Sequence, residues 1–181
     1  MENEPIAKVS RWMEEAVLGL GLCPFAAEPW NAGRVRLSVS CATSQNELLE
    51  ELRQEIETLS LTDPDTIETT LLIIPGVLLD FSEFNQFLDL TDGLITQHDW
   101  TGEFQIASFH PKYQFANTQP DDPSNLTNCS PYPILHILRE SSMTRALETY
   151  ANPERIPITN VETLQNLSEQ RRREIFGPAP K

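Results

Sequence analysis

The chain has 181 residues, 39% of them hydrophobic, and its 27 acidic against 13 basic side chains give a formal net charge of -14. A chain of this length buries roughly 70% of the surface its unfolded form exposes, so it needs no disulfide or metal in order to fold. The charge repels phosphate backbones and anionic bilayers, which leaves nucleic acid and membrane surfaces outside the expected partners.

Ile6, Val9, Met13, Ala16, Val17 and Leu20 recur at helical spacing ahead of Gly21 and Pro24, predicting a helix from about residue 5 to 20. This first stretch lacks the apolar core of a secretory leader, and no later segment reaches the ~18 uncharged residues of a membrane span. A cytoplasmic location is the expectation. Cys23, Cys41 and Cys129 are odd in number and lack C-x-x-C spacing, as reduced thiols would be. Cys23, between Leu22 and Pro24-Phe25, reads as a buried small hydrophobe.

Arg34 to Ala42 alternates Val35, Leu37, Val39 and Cys41 with polar residues, the period of a half-buried strand. Ser44 with Glu47 has the pattern of a capping box ahead of the helical run Leu48, Leu52, Ile56 and Leu59. "TTLLIIP" at Thr69–Pro75 reads as a strand covered on both faces, and Asp80 with Glu83 opens a further helix through Phe84, Phe87 and Ile95. Glu103 to Phe109 is the third strand, ended by Pro111.

The connection from Pro111 to Ser130 exceeds the ~12–15 residues beyond which loops are usually functional or disordered. Phe109, Tyr113, Phe115 and Tyr132 flank its polar middle, and aromatics of this size pull a loop onto a core, so an ordered loop is expected. Ser130-Pro131 then reads as N-cap and first residue of a helix from Pro131 to Glu140. Further helices are expected around Met143 to Tyr150 and from Asn160 to Phe176, the last behind a Thr159–Glu162 capping pair. The fold class is therefore α/β: a single compact domain over residues 1–181, with a small, mainly parallel sheet in strand-helix-strand-helix-strand order, helices on its faces and a helical C-terminal part.

The chain resembles an uncharacterised bacterial family catalogued as domain of unknown function 1415. The resemblance is carried by "GLCPFA" at Gly21–Ala26, "TTLLIIP" at Thr69–Pro75, "QIASFHPKYQFA" at Gln105–Ala116 and "DDPSNLTNCSPYPILHILRE" at Asp121–Glu140. It implies a small cytosolic bacterial protein and brings no reaction or cofactor with it.

Ligands of an open parallel sheet bind beyond the carboxyl ends of its strands, which places a site around His110 and the loop after it. His110 and His136 are the candidate catalytic residues, because an imidazole moves protons near neutral pH. Arg139, on the helical face predicted for His136, is the candidate anion holder together with the free N–H groups of the predicted helix start at Ser130. Tyr113, Asn125, Thr127 and Asn128 complete the candidate ligand-binding set, and all of these groups are expected to converge on one pocket. The alternative for the asparagines and threonine is local bonding that keeps the loop in shape. His110 and His136 with Asp121 or Asp122 lack the short histidine spacing of a metal site, so neither metal nor cofactor is expected. Two functions follow: an enzyme or binder for a small polar or anionic metabolite, or a non-catalytic interaction protein in which the 108–140 segment is a braced partner-binding surface. A cleft favours the first and an exposed aromatic patch the second.

Overall fold

One mixed sheet organises residues 3–177, the part of the chain that the computed structural model describes. Its strands are β1 (Val35–Val39), β2 (Thr69–Ile73), β3 (Phe104–Phe109) and β4 (Ile134–Arg139), in the spatial order β1-β2-β4-β3. β1 and β2 are parallel, while β4 lies antiparallel to β2 on one side and to β3 on the other. The α/β class holds, but the sheet is not mainly parallel.

The reason is β4, which replaces the helix expected from Pro131 to Glu140. Ile134, Leu135 and Ile137 are completely buried, because this strand has neighbours on both edges and helices over both faces. A strand covered on both faces loses the two-residue alternation that would reveal it, and a short apolar run then fits a helix equally well.

α1 (Asn3–Trp12) continues as a π-helical turn over Met13–Leu18, and the short α2 (Ala27–Asn31) precedes β1. α3 (Gln45–Leu61) starts as its sequence dictates: the Ser44 hydroxyl accepts from the Glu47 N–H at 3.3 Å, and the Glu47 carboxylate reaches back to the Thr43 N–H at 2.7 Å. α4 (Phe81–Gln97) starts on the Asp80 carboxylate, which accepts from the Ser82 and Glu83 N–H groups. α5 (Glu140–Thr149) follows β4 directly. The single helix expected from Asn160 to Phe176 is two, α6 (Ile156–Gln165) and α7 (Glu169–Phe176). Thr159 and Glu162 lie inside α6, and Ser168 caps α7. Among the described residues no helix is long and apolar enough to cross a membrane.

Strand alternation divides the core. Leu72, Leu135 and Ile137 face α3 and α4, where they meet Leu52, Ile56 and Phe84, whereas Leu71, Ile73 and Ile134 face α1 and its π turn through Val9, Trp12 and Ala16. β1, β2 and β3 all point the same way, so their carboxyl ends and the start of β4 share one edge. The connection from His110 to Pro133 leaves and returns at that edge.

Thr70, in the middle of β2, is completely buried and its hydroxyl has no hydrogen-bond partner among the described residues. Removing an unsatisfied buried hydroxyl without changing shape relieves its desolvation penalty. Thr70→Val is therefore expected to raise unfolding stability by about 1 kcal/mol in urea titrations, and a loss of that size would show the hydroxyl to be bonded.

Candidate functional site

The sheet edge that holds His110 carries an ordered loop. His110 follows the last residue of β3 and is completely buried, its ring 5.3 Å from that of Phe81 and 5.1 Å from that of Phe84. Its Nδ1 accepts from the Lys112 N–H at 3.0 Å, which leaves the proton on Nε2, 3.2 Å from the Leu78 carbonyl oxygen that accepts it. Burial pulls the imidazole below its ordinary pKa, so the neutral ring fits this pair of bonds. Leu78 holds a left-handed backbone (φ 55°) on the β2–α4 connection, a conformation that costs a leucine on the order of 1–3 kcal/mol.

The rest of the loop is closed by its own polar groups. The His110 N–H donates to the Asn128 carbonyl, and the Asn128 side-chain amide donates to the Ser108 carbonyl at 3.1 Å, so the loop has a narrow neck. Asn125 is buried inside: its Oδ1 accepts from the Phe115 N–H and the Thr118 hydroxyl, and its Nδ2 donates to the Gln119 carbonyl. Asp122 caps a 3-10 turn, Pro123–Asn128, that packs beside α6. Thr127 is half-buried within it. Ser130 is buried and donates to the Tyr132 carbonyl; no helix starts there, so the N–H groups expected at that point are not available to a ligand. Cys129 is likewise no thiolate, since burial pushes its pKa up to about 11.

His136 is elsewhere. It pairs with Leu71 on the α1 face of the sheet, whereas His110 lies among α4 side chains on the other face. The Thr69 hydroxyl donates to the Ile137 carbonyl at 2.6 Å and therefore accepts from His136 Nε2 at 2.7 Å. Arg139 is on the α3–α4 face but at the opposite end of β4, opposite Phe104 at the start of β3. Five residues of strand separate it from the His110 edge, roughly 17 Å. Its Nη2 donates to the carbonyls of Leu59, Thr62 and Ile67, so the guanidinium closes the C-terminus of α3. The convergence of His110, His136 and Arg139 on one pocket is not found. It rested on a helical face, and a strand sends residues 136 and 139 to opposite faces.

What does converge at the His110 edge is aromatic. From the core outwards, Phe84, His110, Phe81, Tyr113 and Phe115 form a line of contacts with ring centroids 5.0–5.3 Å apart, ending at Phe115, which is 36% exposed beside the polar loop tip. Leu79, two residues before Phe81, is 59% exposed. Sequence reasoning missed Leu79 and Phe81 as site residues because one belongs to the β2–α4 connection and the other opens α4. Its one clue was an apolar Val77-Leu78-Leu79 directly before the Asp80 cap. An open groove of about 670 Å³ also lies on this edge, lined by Cys41, Thr43, Asn46, Glu47, Glu50 and Glu51 among others. Its carboxylates are bonded locally, Glu47 to Thr43, Glu50 to Arg53 and Glu51 to the Cys41 N–H. Among the described residues no three His, Cys, Asp or Glu side chains are placed to hold a metal.

The chain belongs to the family described as "Protein of unknown function (DUF1415)", whose model matches residues 4–174. No curated protein and no solved structure matches it.

Burial lowers the pKa of His136 to about 4, against ~6.5 for an unfolded histidine. Above pH ~6.5 the ring is neutral in both states and contributes nothing. Between that pH and about 4 the unfolded chain binds a proton that the folded one refuses, so stability falls with pH, by about 3 kcal/mol in full. Imidazole titration followed by NMR should show His136 neutral down to about pH 4, and a midpoint near 6.5 would contradict its burial.

Proposed function

We propose that this protein is a non-catalytic interaction module of the cytosol, acting as one domain, and that the aromatic end of the 108–130 loop is its partner-binding surface. The observation that carries this reading is the aromatic line from Phe84 to Phe115. Rings anchored in the core and exposed at the tip lose little conformational freedom on binding, which is what makes aromatics effective anchors at protein interfaces. In this reading His110, Asn125 and Asn128 are braces, His136 is a core histidine, and none of them handles a substrate.

The charge around the surface indicates the partner. Asp80, Asp121 and Asp122 stand in the two connections that build it and Glu83 in the first turn of α4, against Lys112 alone. A second copy of the same acidic surface would be repelled. An apolar protein segment with basic residues around it is attracted, and it would be steered in by the net charge of -14. Nucleic acid and membrane surfaces, both anionic, are disfavoured by the same field. The reading of His110, His136 and Arg139 as one metabolite pocket has no concave site to support it.

A photo-crosslinking residue placed at 115 in the full chain should trap one protein in cell extract. The yield should fall as salt is raised and vanish in a Leu79→Asp, Tyr113→Ser background that keeps native stability. The same adducts from a crosslinker at Thr101, at the other sheet edge, would contradict the proposal.

A further inference from the structure

The two edges of the sheet end differently. Along β3, at one edge, neighbouring segments take outward backbone groups: the Ser108 carbonyl accepts from the Asn128 side-chain amide, and the Phe104 N–H donates to the Trp100 carbonyl. β1 forms the other edge. The Ser40 N–H donates to the Ile73 carbonyl and the Arg34 carbonyl accepts from the Glu68 N–H, so the even-numbered residues of this segment turn their backbone groups towards β2. Val35, Leu37 and Val39 turn theirs outwards, and neither the N–H nor the C=O of any of these residues has a partner among the described residues.

The side chains of this edge are also incompletely covered. Val35, Leu37 and Val39 pack towards α1 but stay half-buried, whereas Leu71 and Ile73 on β2 are fully buried. On the α3 face, the Glu55 carboxylate accepts from Nε and Nη2 of Arg36 at 2.8 and 3.1 Å and from the Ser38 hydroxyl at 2.7 Å. β1 contains no proline, and its single charge is neutralised by Glu55, so it lacks two of the devices that keep an edge strand from pairing.

We propose that a second copy of this chain adds its own β1 to this edge, antiparallel about a twofold axis through Leu37, so that one sheet runs through both copies. The outward groups set this register. Val35 faces the partner's Val39 and Leu37 faces the partner's Leu37, each pair exchanging two hydrogen bonds. The side chains fit the same register: the apolar residues of both copies fall on the α1 face and cover one another, while Arg36 stands opposite the partner's Ser38 and beside the partner's Glu55, so that no like charges meet across the strands. An unrelated extended segment would satisfy the backbone alone. A second copy satisfies the backbone, the apolar stripe and the charge together. β2 and β4 separate this edge from β3 and its loop, and the pairing does not depend on the loop's role.

The test is sedimentation equilibrium of the full chain over a concentration series, in high salt to screen the net charge of -14 that each copy carries. The mass should rise from 20.5 kDa to twice that value. Ser38→Arg sets an arginine against the partner's Arg36 on both sides of the axis and should weaken the dimer roughly tenfold. Combining it with Arg36→Ser exchanges the two residues and should restore the dimer, because the register again sets arginine against serine; a variant that weakened the dimer by damaging the fold would not be rescued in this way. A chain that stays at 20.5 kDa up to roughly 1 mM, a dimer that Ser38→Arg leaves unchanged, or one that the exchange fails to restore would each overturn the proposal.

Discussion

One buried imidazole joins two connections of this fold. His110 accepts from the N–H of Lys112 in its own loop and donates to the carbonyl of Leu78 in the loop ahead of α4, so the two segments meet through a ring with no solvent access. β3 and β4 are antiparallel neighbours, which a two-residue turn can join. The chain instead spends the whole stretch from His110 to Pro133 there. Backbone groups that this excess length buries need partners, and His110, Asn125, Asn128 and the 3-10 turn supply several of them from within. A loop that only closed a hairpin would need none of this.

The second constraint is the place of β4 in the sheet. With β2 on one edge and β3 on the other, its backbone is fully paired and its side chains alternate between two covered faces. The polar residues of that strand must therefore find partners inside the molecule. His136 takes the Thr69 hydroxyl on one face, and Arg139 takes the end of α3 on the other. Because Arg139 is also the last residue of β4 and the N-cap of α5, one residue joins the end of α3, through its guanidinium, to the start of α5, through its backbone.

The sequence discloses what local rules control. The strand at Val35–Val39 shows by alternation, α3 and α4 show by their caps, and the ordered loop shows by the aromatics that flank its polar tract. β4 is hidden because burial on both faces erases its period. The break between α6 and α7 escapes for a related reason: the pair Thr159–Glu162 imitates a capping box, although tertiary contacts carry α6 further back, to Ile156. At the site, the sequence identifies His110 as a histidine at a strand end but not its partner. That partner is a backbone carbonyl of a leucine in left-handed conformation, and no side-chain pattern announces it. The misreading of β4 also carries the expected His–Arg convergence with it, since helical and strand periods send residues 136 and 139 in different directions.

Whether the loop is a braced surface can be read at one amide. The Phe115 N–H donates to the buried Asn125 Oδ1 at 2.9 Å, while the N–H groups of Gln114 and Ala116 on either side have no partner among the described residues. Hydrogen exchange resolved by residue should therefore show Phe115 protected between two fast neighbours, and Asn125→Ala should erase the difference. Equal and fast exchange at all three amides in the unaltered chain would mean that the loop is mobile and that its aromatic tip is no preformed surface.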